Sequence, residues 1–187
     1  MVEECRDYFV ALHQLAKVVN SSLEPRDVLK GIVNEVSKTL NAKASAIRVL
    51  DSKGESLMLG ASCGLSEGYL RKGMVRVAES GLDQKALSGQ TVTIADAQTD
   101  QGFQYQERAK AEGIHSILVV PLMVEDKAVG VLRVYSGEPR QFDAREIQFA
   151  EAAANLSAIA LENARLHKAL KRDYDLLVQH EYRLDDN

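Results

Sequence analysis

An α+β fold built on an antiparallel sheet is what this sequence predicts, and three observations carry it. The stretch Gly113 to Ser136 reads as two apolar strands folded back on one another across a polar turn. Amphipathic helices with three- and four-residue spacing stand near the N-terminus. After the hairpin comes a helix with a clear start signal, and no Pro or Gly interrupts it to the end of the chain.

In chain order, residues 2–19 place Tyr8, Phe9, Leu12, Leu15, Ala16 and Val19 on one face of a helix, which Asn20, Ser21 and Ser22 end. Pro25 suits a first helical turn and opens a second helix with the stripe Val28, Leu29, Ile32, Val33, Val36 and Leu40, closed at Asn41. Ala44 to Leu50 is a strand, Asp51 to Gly54 a turn, and Glu55 to Cys63 its antiparallel partner. The middle third is irregular: a helical turn around Tyr69 and Leu70, a strand at Met74 to Val77, a helix over Ser80 to Ser88, and a strand at Thr91 to Ile94. A polar loop then leads to a helix over Phe103 to Glu112, which Gly113 stops.

In the central hairpin, Ile114, Ile117, Leu118, Val119, Val120 and Leu122 face Val129, Val131, Leu132 and Val134 across Glu125, Asp126 and Lys127. Strands apolar on both faces belong mid-sheet, with structure above and below. Pro121 cannot donate to a ladder, so a bulge or a locally unpaired edge is expected there. Asp-Lys is not a favoured two-residue turn, so a loop of three to five residues is expected at the tip.

The last helix begins at Asp143, with Phe142 at N′, Glu146 at N3 and Ile147 at N4, a capping box combined with a hydrophobic staple. From Asp143 to Leu184 it is roughly 60 Å long at about 1.5 Å per residue. A compact domain of this size covers only about half of that length. Read in heptads, Ala153, Leu156, Ala160, Asn163, His167, Leu170, Tyr174, Leu177, Glu181 and Leu184 share one seam. A parallel dimer through this helix is expected, with Leu156, Asn163, Leu170 and Leu177 on its interface. Asn163 is either a register pin in that dimer or a polar residue at the solvent edge of the stripe.

The chain has 187 residues, 45% hydrophobic and 27% charged, with a formal net charge of −4. This fits one domain with helical extensions and gives no basic footprint for nucleic acid. No apolar run reaches the roughly 18 residues of a membrane span, and MVEEC is acidic where a signal peptide would be basic. With two cysteines, Cys5 and Cys63, at no metal-like spacing, a cytoplasmic protein without a metal or cofactor is expected. Nucleotide-loop, nucleophile-elbow and zinc-protease signatures are absent from the sequence.

The segments SSLEPRDVLKGIVNEVSKTLNAKASAIRVLD, GIHSILVVPLMVEDKAVGVLRVYS and QFDAREIQFAEAAANLSAIALENARL resemble the start and end of a bacterial GAF domain, a small-ligand-binding and dimerising module of signalling proteins. The resemblance covers about Val18 to Leu166, so residues 18–166 are expected to form the module, with 1–17 and 167–187 as helical extensions. It implies a GAF-like (PAS-like) antiparallel sheet of five or six strands. The terminal helices would pack on one face, and the short helices and a ligand pocket on the other.

Known uses of that pocket can be compared with the residues here. Cyclic-nucleotide-binding members carry an Asn-Lys pair, a Phe and an Asp-Glu pair where this chain has Tyr135, Ser136, Phe142, Glu146 and Ile147, so only the Phe matches. Bilin-binding members need a cysteine in the irregular middle region, and none stands between Gly64 and Asn187. Members that reduce free methionine sulfoxide need a paired thiolate, and Cys63 and Cys5 make no such pair; Cys63 reads as a small apolar strand residue.

Strand alternation puts Ala46, Arg48 and Leu50 on one face, and Val131, Arg133 and Tyr135 on one face of the last strand. With these strands adjacent at the sheet centre, as the resemblance implies, Arg48 and Arg133 face the pocket side. Covered guanidinium groups must be paired or meet an anion. Either they hold a small anionic or carboxylate ligand, or they reach the sheet edge or pair with internal acids such as Asp96 or Glu107. Asp96, Tyr105 and His115 are further candidate ligand contacts, and His115 reads equally as a hydrogen-bonded boundary residue. Three functions stay open: a sensory module of a signalling protein with a fused or separate output, a ligand-free dimerisation or docking module, and, third, a thiol enzyme of the sulfoxide-reducing kind. A non-enzymatic sensor is the expectation, forming a homodimer and contacting neither nucleic acid nor membrane.

Overall fold

Local chemistry sets the first elements. The Asp7 carboxylate accepts from the backbone N–H groups of Phe9 and Val10, both at 3.1 Å, and so opens α1, Tyr8–Val19. Pro25 occupies the first turn of α2, Pro25–Thr39, and Asn41 leaves it with φ of 46°, in the left-handed region that Asn tolerates. The computed structural model describes residues 7–22, 24–71 and 73–184, with side chains as far as 176.

The strands are β1, Ala44–Leu50; β2, Ser56–Cys63; β3, Val75–Arg76; β4, Val92–Ile94; β5, Ile117–Val124; and β6, Lys127–Tyr135. They form one six-stranded sheet in the order β3-β2-β1-β6-β5-β4, antiparallel at every pairing. The outcome is the expected GAF-like α+β arrangement, with β1 and β6 adjacent at the centre and Ala46 opposite Arg133. Three short helices, α3 Glu67–Leu70, α4 Gly81–Leu87 and α5 Gln106–Glu112, and a 3-10 turn at Val77–Glu79 make up the irregular middle. Last comes α6, Ala144–Leu184.

Each face of the sheet has its own core. On one side Ile47, Leu118, Val120, Leu122, Leu132 and Val134 pack against α1, α2 and the first half of α6, around Leu15, Ile32, Val36 and Phe149. Each fully buried aliphatic side chain there stabilises the fold by about 1.5–3 kcal/mol. The α6 stripe against this core is small: Ala150, Ala153, Ala154, Ser157 and Ala158 are all fully buried, so the helix lies close to its neighbours. On the other face Ala46, Leu57, Val75, Val119, Val131 and Tyr135 pack under the short helices with Leu82, Ala86, Phe103 and Ala109.

The start of α6 bears out its sequence signal. Asp143 Oδ1 accepts from Glu146 N–H at 2.8 Å while Glu146 Oε2 accepts from Asp143 N–H at 3.0 Å. Arg140 extends this box, donating to Glu146 Oε1 at 2.9 Å and to the Leu40 carbonyl at 3.1 Å, with its guanidinium 4.5 Å from the Phe142 ring centroid. The end of α2 is thereby tied to the start of α6.

Two expectations need correction. The β5–β6 connection is a two-residue turn, Glu125-Asp126, since Val124 pairs with Lys127; Glu125 takes φ of 52° to make it. The expectation at Pro121 is met: β4 pairs only as far as Val119, which leaves the β5 edge at Pro121 without a strand neighbour, and a register irregularity lies close by, between Leu122 and Met123. The heptad seam is also divided. Ala153 and Ala160 are buried in the domain's own core and Leu156 packs against it, whereas Asn163 and His167 line a cleft of about 330 Å³ facing the α1–α2 junction. From residue 165 to 176 every side chain is exposed, and Leu166, Leu170 and Tyr174 form an apolar row on the surface. The Leu177, Glu181 and Leu184 side chains lie outside the described residues.

Gly130 makes the centre of the sheet possible, because a Cβ there would stand 2.3 Å from the Arg48 carbonyl oxygen on the neighbouring strand. Gly130→Ala is expected to destabilise the fold by about 1–3 kcal/mol through overpacking. Urea unfolding of the two proteins measures the difference, and equal midpoints would contradict this close approach.

Candidate ligand site

Arg48 and Arg133 lie on the sheet face covered by the short helices, as strand alternation requires, and both are almost fully buried, at 2% and 1% exposure. Their partners differ. Arg133 donates through Nη2 to both carboxylate oxygens of Asp83, itself fully buried on α4. Arg48 donates through Nη1 to two backbone carbonyls, Leu57 O and Gly73 O, each at 3.1 Å. Arg48 Nε and Arg133 Nε are buried without a hydrogen-bond partner.

The electrostatics separate the two cations further. Burial alone would pull the Arg133 guanidinium down, but the Asp83 carboxylate outweighs it, and the net displacement is upward. Arg48 is pulled below the ordinary arginine value, first by burial and then by the positive charge of Arg133. Tyr69 and Tyr135 stand beside them with rings edge to face, centroids 6.1 Å apart. Burial, followed by the proximity of Tyr135, pushes the Tyr69 hydroxyl up.

The remaining sequence candidates gather elsewhere. Asp96 and His115 meet at the rim of the layer, Oδ1 to Nδ1 at 3.3 Å, about a third exposed. Gln98 Nε2 lies 3.2 Å from His115 Nε2 and donates to Ile114 O at 3.0 Å. Asp96 also accepts from Gln98 N–H at 3.1 Å and from the Thr99 hydroxyl at 3.2 Å, which closes the loop on itself. The Gln98 N–H leads the contacts that hold its carboxyl below the usual range. Tyr105 begins α5 and sets its ring against Phe103, centroids 6.1 Å apart, over a shallow groove of about 440 Å³. Thus the structure brings Arg48 and Arg133 together and Asp96 and His115 together, and puts Tyr105 at the start of α5 against Phe103.

The acids named from sequence as alternative partners are not the ones used. Glu107 pairs with Lys110 at 2.8 Å and Asp96 with His115, while Arg133 takes Asp83. Sequence reasoning missed Asp83, yet a signal existed: with Leu82 and Ala86 it forms the buried face of α4, where an acid must find a cation. Cys63 is a free, half-buried thiol at the end of β2, packed beside the helix-side core, and Cys5 lies outside the described residues. Among the described residues, no group of three or more His, Cys, Asp or Glu side chains could hold a metal ion, and no helix is long and apolar enough to cross a membrane.

The family model described as "GAF domain" matches residues 22–162. The chain belongs to the GAF domain family. The GAF chain is 25% identical over 183 residues to a Nif-specific regulatory protein of Azorhizobium caulinodans, covering 94% of this chain and 29% of that protein. It is 28% identical over 167 residues to the anaerobic nitric oxide reductase transcription regulator NorR of Serratia proteamaculans, covering 87% of this chain and 32% of the regulator. The chain therefore spans about a third or less of the regulators it matches. Among solved structures it is similar in fold to free methionine-R-sulfoxide reductase from Neisseria meningitidis in complex with its substrate, with a TM-score of 0.71, 19% identity, and coverage of 86% of this chain and 91% of that one. At that identity the likeness is one of fold.

Two measurements follow from this geometry. Asp83→Asn removes the counter-charge of a buried guanidinium and is expected to cost about 3–5 kcal/mol of stability in denaturant unfolding, whereas an Asp83→Leu, Arg133→Met double variant recovers much of it. An Asp83→Asn protein as stable as the wild type would show the pair to be dispensable. The second concerns acid. A carboxyl depressed on folding adds stability above its unfolded value, about 3.9, and loses it as pH falls through the depressed value. The Asp96 carboxyl should therefore titrate by NMR below about 3.9, and Asp96→Asn should narrow the stability difference between neutral and acid solution.

Proposed function

We propose that this GAF domain is the sensory module of a bacterial signal-transduction protein, binding a small ligand between the sheet and the α3–α5 layer and reporting occupancy through its terminal helices. The observation that carries this reading is the pair of buried arginines on the covered face, one of them without a counter-charge among the described residues. Structural cores seldom keep an uncompensated cation, and binding sites regularly do. Arg48 is the inner ligand contact on this reading, with Arg133 beside it already engaged by Asp83, and Asp96, His115 and Tyr105 are the outer candidates.

The response would be a population shift: a ligand that binds one helix arrangement better biases the protein toward it, by no more than its differential affinity. The exposed row Leu166, Leu170 and Tyr174 on α6 supports a homodimer through that helix, with Leu170 on its interface and Leu156 and Asn163 nearer the domain body. Because the regulators similar to this chain are about three times its length, an output domain joined to the module fits.

A second reading, a ligand-free dimerisation module, draws on the close apolar packing around the arginines, where Leu57, Val75, Val119 and Val131 are fully buried. A thiol enzyme finds little support, since Cys63 is flanked by no second thiol among the described residues and the sequence relatives are regulators. Native mass spectrometry against the denatured mass is the test. The expected result is a dimer carrying a reproducible extra mass; a dimer of bare mass favours the docking reading, and a monomer removes the helical interface.

A further inference from the structure

Four charged side chains are buried among the described residues, and their partners leave one of them unmatched. Glu146 is met by Arg140 at the start of α6, and Asp83 by Arg133. Arg48 remains, 2% exposed, held by two neutral carbonyls and with Nε unpartnered. The covered layer thus holds two guanidinium groups and one carboxylate, an excess of one positive charge.

From this we infer that the ligand is a small monoanion, specifically a carboxylate with a short apolar body, seated on the Nε edge of Arg48, away from the Nη1 held by Leu57 and Gly73 carbonyls, with the Asp83–Arg133 pair left in place. This rests on the sensory reading and deepens it by naming the ligand's charge and chemistry. Three physical points lead to it. A single negative charge balances the layer, while a dianion would leave an excess of the opposite sign in a low-dielectric site. The planar guanidinium edge matches a carboxylate, and charge-assisted bonds of this kind are the strong ones. Around Arg48 the same face offers Ala46, Leu57, Val75 and Val131, each at most 1% exposed, so the body of the ligand must be apolar and compact. Arg133 is the weaker candidate for direct contact, because a ligand would first have to displace Asp83, a bidentate partner already inside the fold.

The test uses the full chain and propionate as probe, with propionamide as the uncharged isostere and sulfate as the dianion, at constant ionic strength. A ligand that binds only the folded state raises the thermal midpoint in a saturable way. The expected result is a saturable rise with propionate, none with propionamide, and an apparent affinity for propionate at least tenfold above that for sulfate. Arg48→Met, which replaces an uncompensated cation with an apolar chain, is expected to weaken the propionate response tenfold or more. Equal responses to propionate and propionamide, tighter binding of sulfate, or an unchanged response in Arg48→Met would each overturn the inference. The two wild-type comparisons decide it even where the variant does not fold.

Hydrogen exchange along α6, with and without propionate, separates this inference from the reading it rests on. Arg48-dependent binding with α6 exchange unchanged upholds the anion site and removes the sensory reading. An extra mass in the native spectrum with no carboxylate response upholds the sensory reading and overturns the anion site.

Discussion

Arg133 is large, charged and at the middle of a six-stranded sheet, where a guanidinium without a counter-charge would cost several kcal/mol. Asp83 meets it with both carboxylate oxygens, and much of the second layer depends on that meeting. Helix α4 is a single short helix whose other buried residues are only Leu82 and Ala86. Such a helix has little apolar area to hold it in place, so the ion pair fixes its position over β6. The pair also explains why Arg48, one strand away, is left without a carboxylate: the layer contains one buried acid among the described residues and Arg133 has taken it.

Close approach of backbones sets the geometry in which these charges sit. Gly130 lets β6 lie against Arg48, and an irregularity between Ile47 and Arg48, where Gly60 is the extra residue on β2, bends the first hairpin at the same level. Both features flank Arg48, so the strand segment that carries the unmatched cation is held on each side by a glycine. A site that must keep a charge buried benefits from backbone that cannot drift, since the carbonyls of Leu57 and Gly73 are the hydrogen-bond acceptors that Arg48 has among the described residues.

Much of this was legible in the sequence, and the parts that were not share a cause. Alternation in β1 and β6 put Arg48 and Arg133 on the covered face, and Asp143 with Glu146 marked the start of α6, because these are local patterns with one physical solution. Asp83 escaped notice because its partner is fifty residues away: Leu82 and Ala86 mark the inward face of α4 that it shares, but nothing local shows which cation it meets. The turn at Glu125-Asp126 went against residue preference because pairing of β5 and β6 along their whole length outweighs a strained φ at one position. In α6 one heptad frame was read through a helix that changes environment: its first half packs on its own domain with small residues, whereas from residue 165 to 176 every side chain is exposed.

That change of environment bears on how the two layers communicate. The segment 88–91 leads directly from α4 to Thr91, whose hydroxyl donates to Glu151 on α6 at 2.8 Å. The helix carrying Asp83 is therefore linked to α6 by a short connection and one hydrogen bond, in addition to the shared strands β5 and β6. At its start α6 is anchored by the Arg140–Glu146 pair and the Leu40 carbonyl, and its interior contains no Pro or Gly that would let it bend. If a helix of this kind is pushed near Glu151 it can tilt as one body about its anchored start, and only such a tilt gives a displacement that grows along the part leaving the domain. On the sensory reading, the exposed row Leu166, Leu170 and Tyr174 is where such a tilt would be presented to a partner helix.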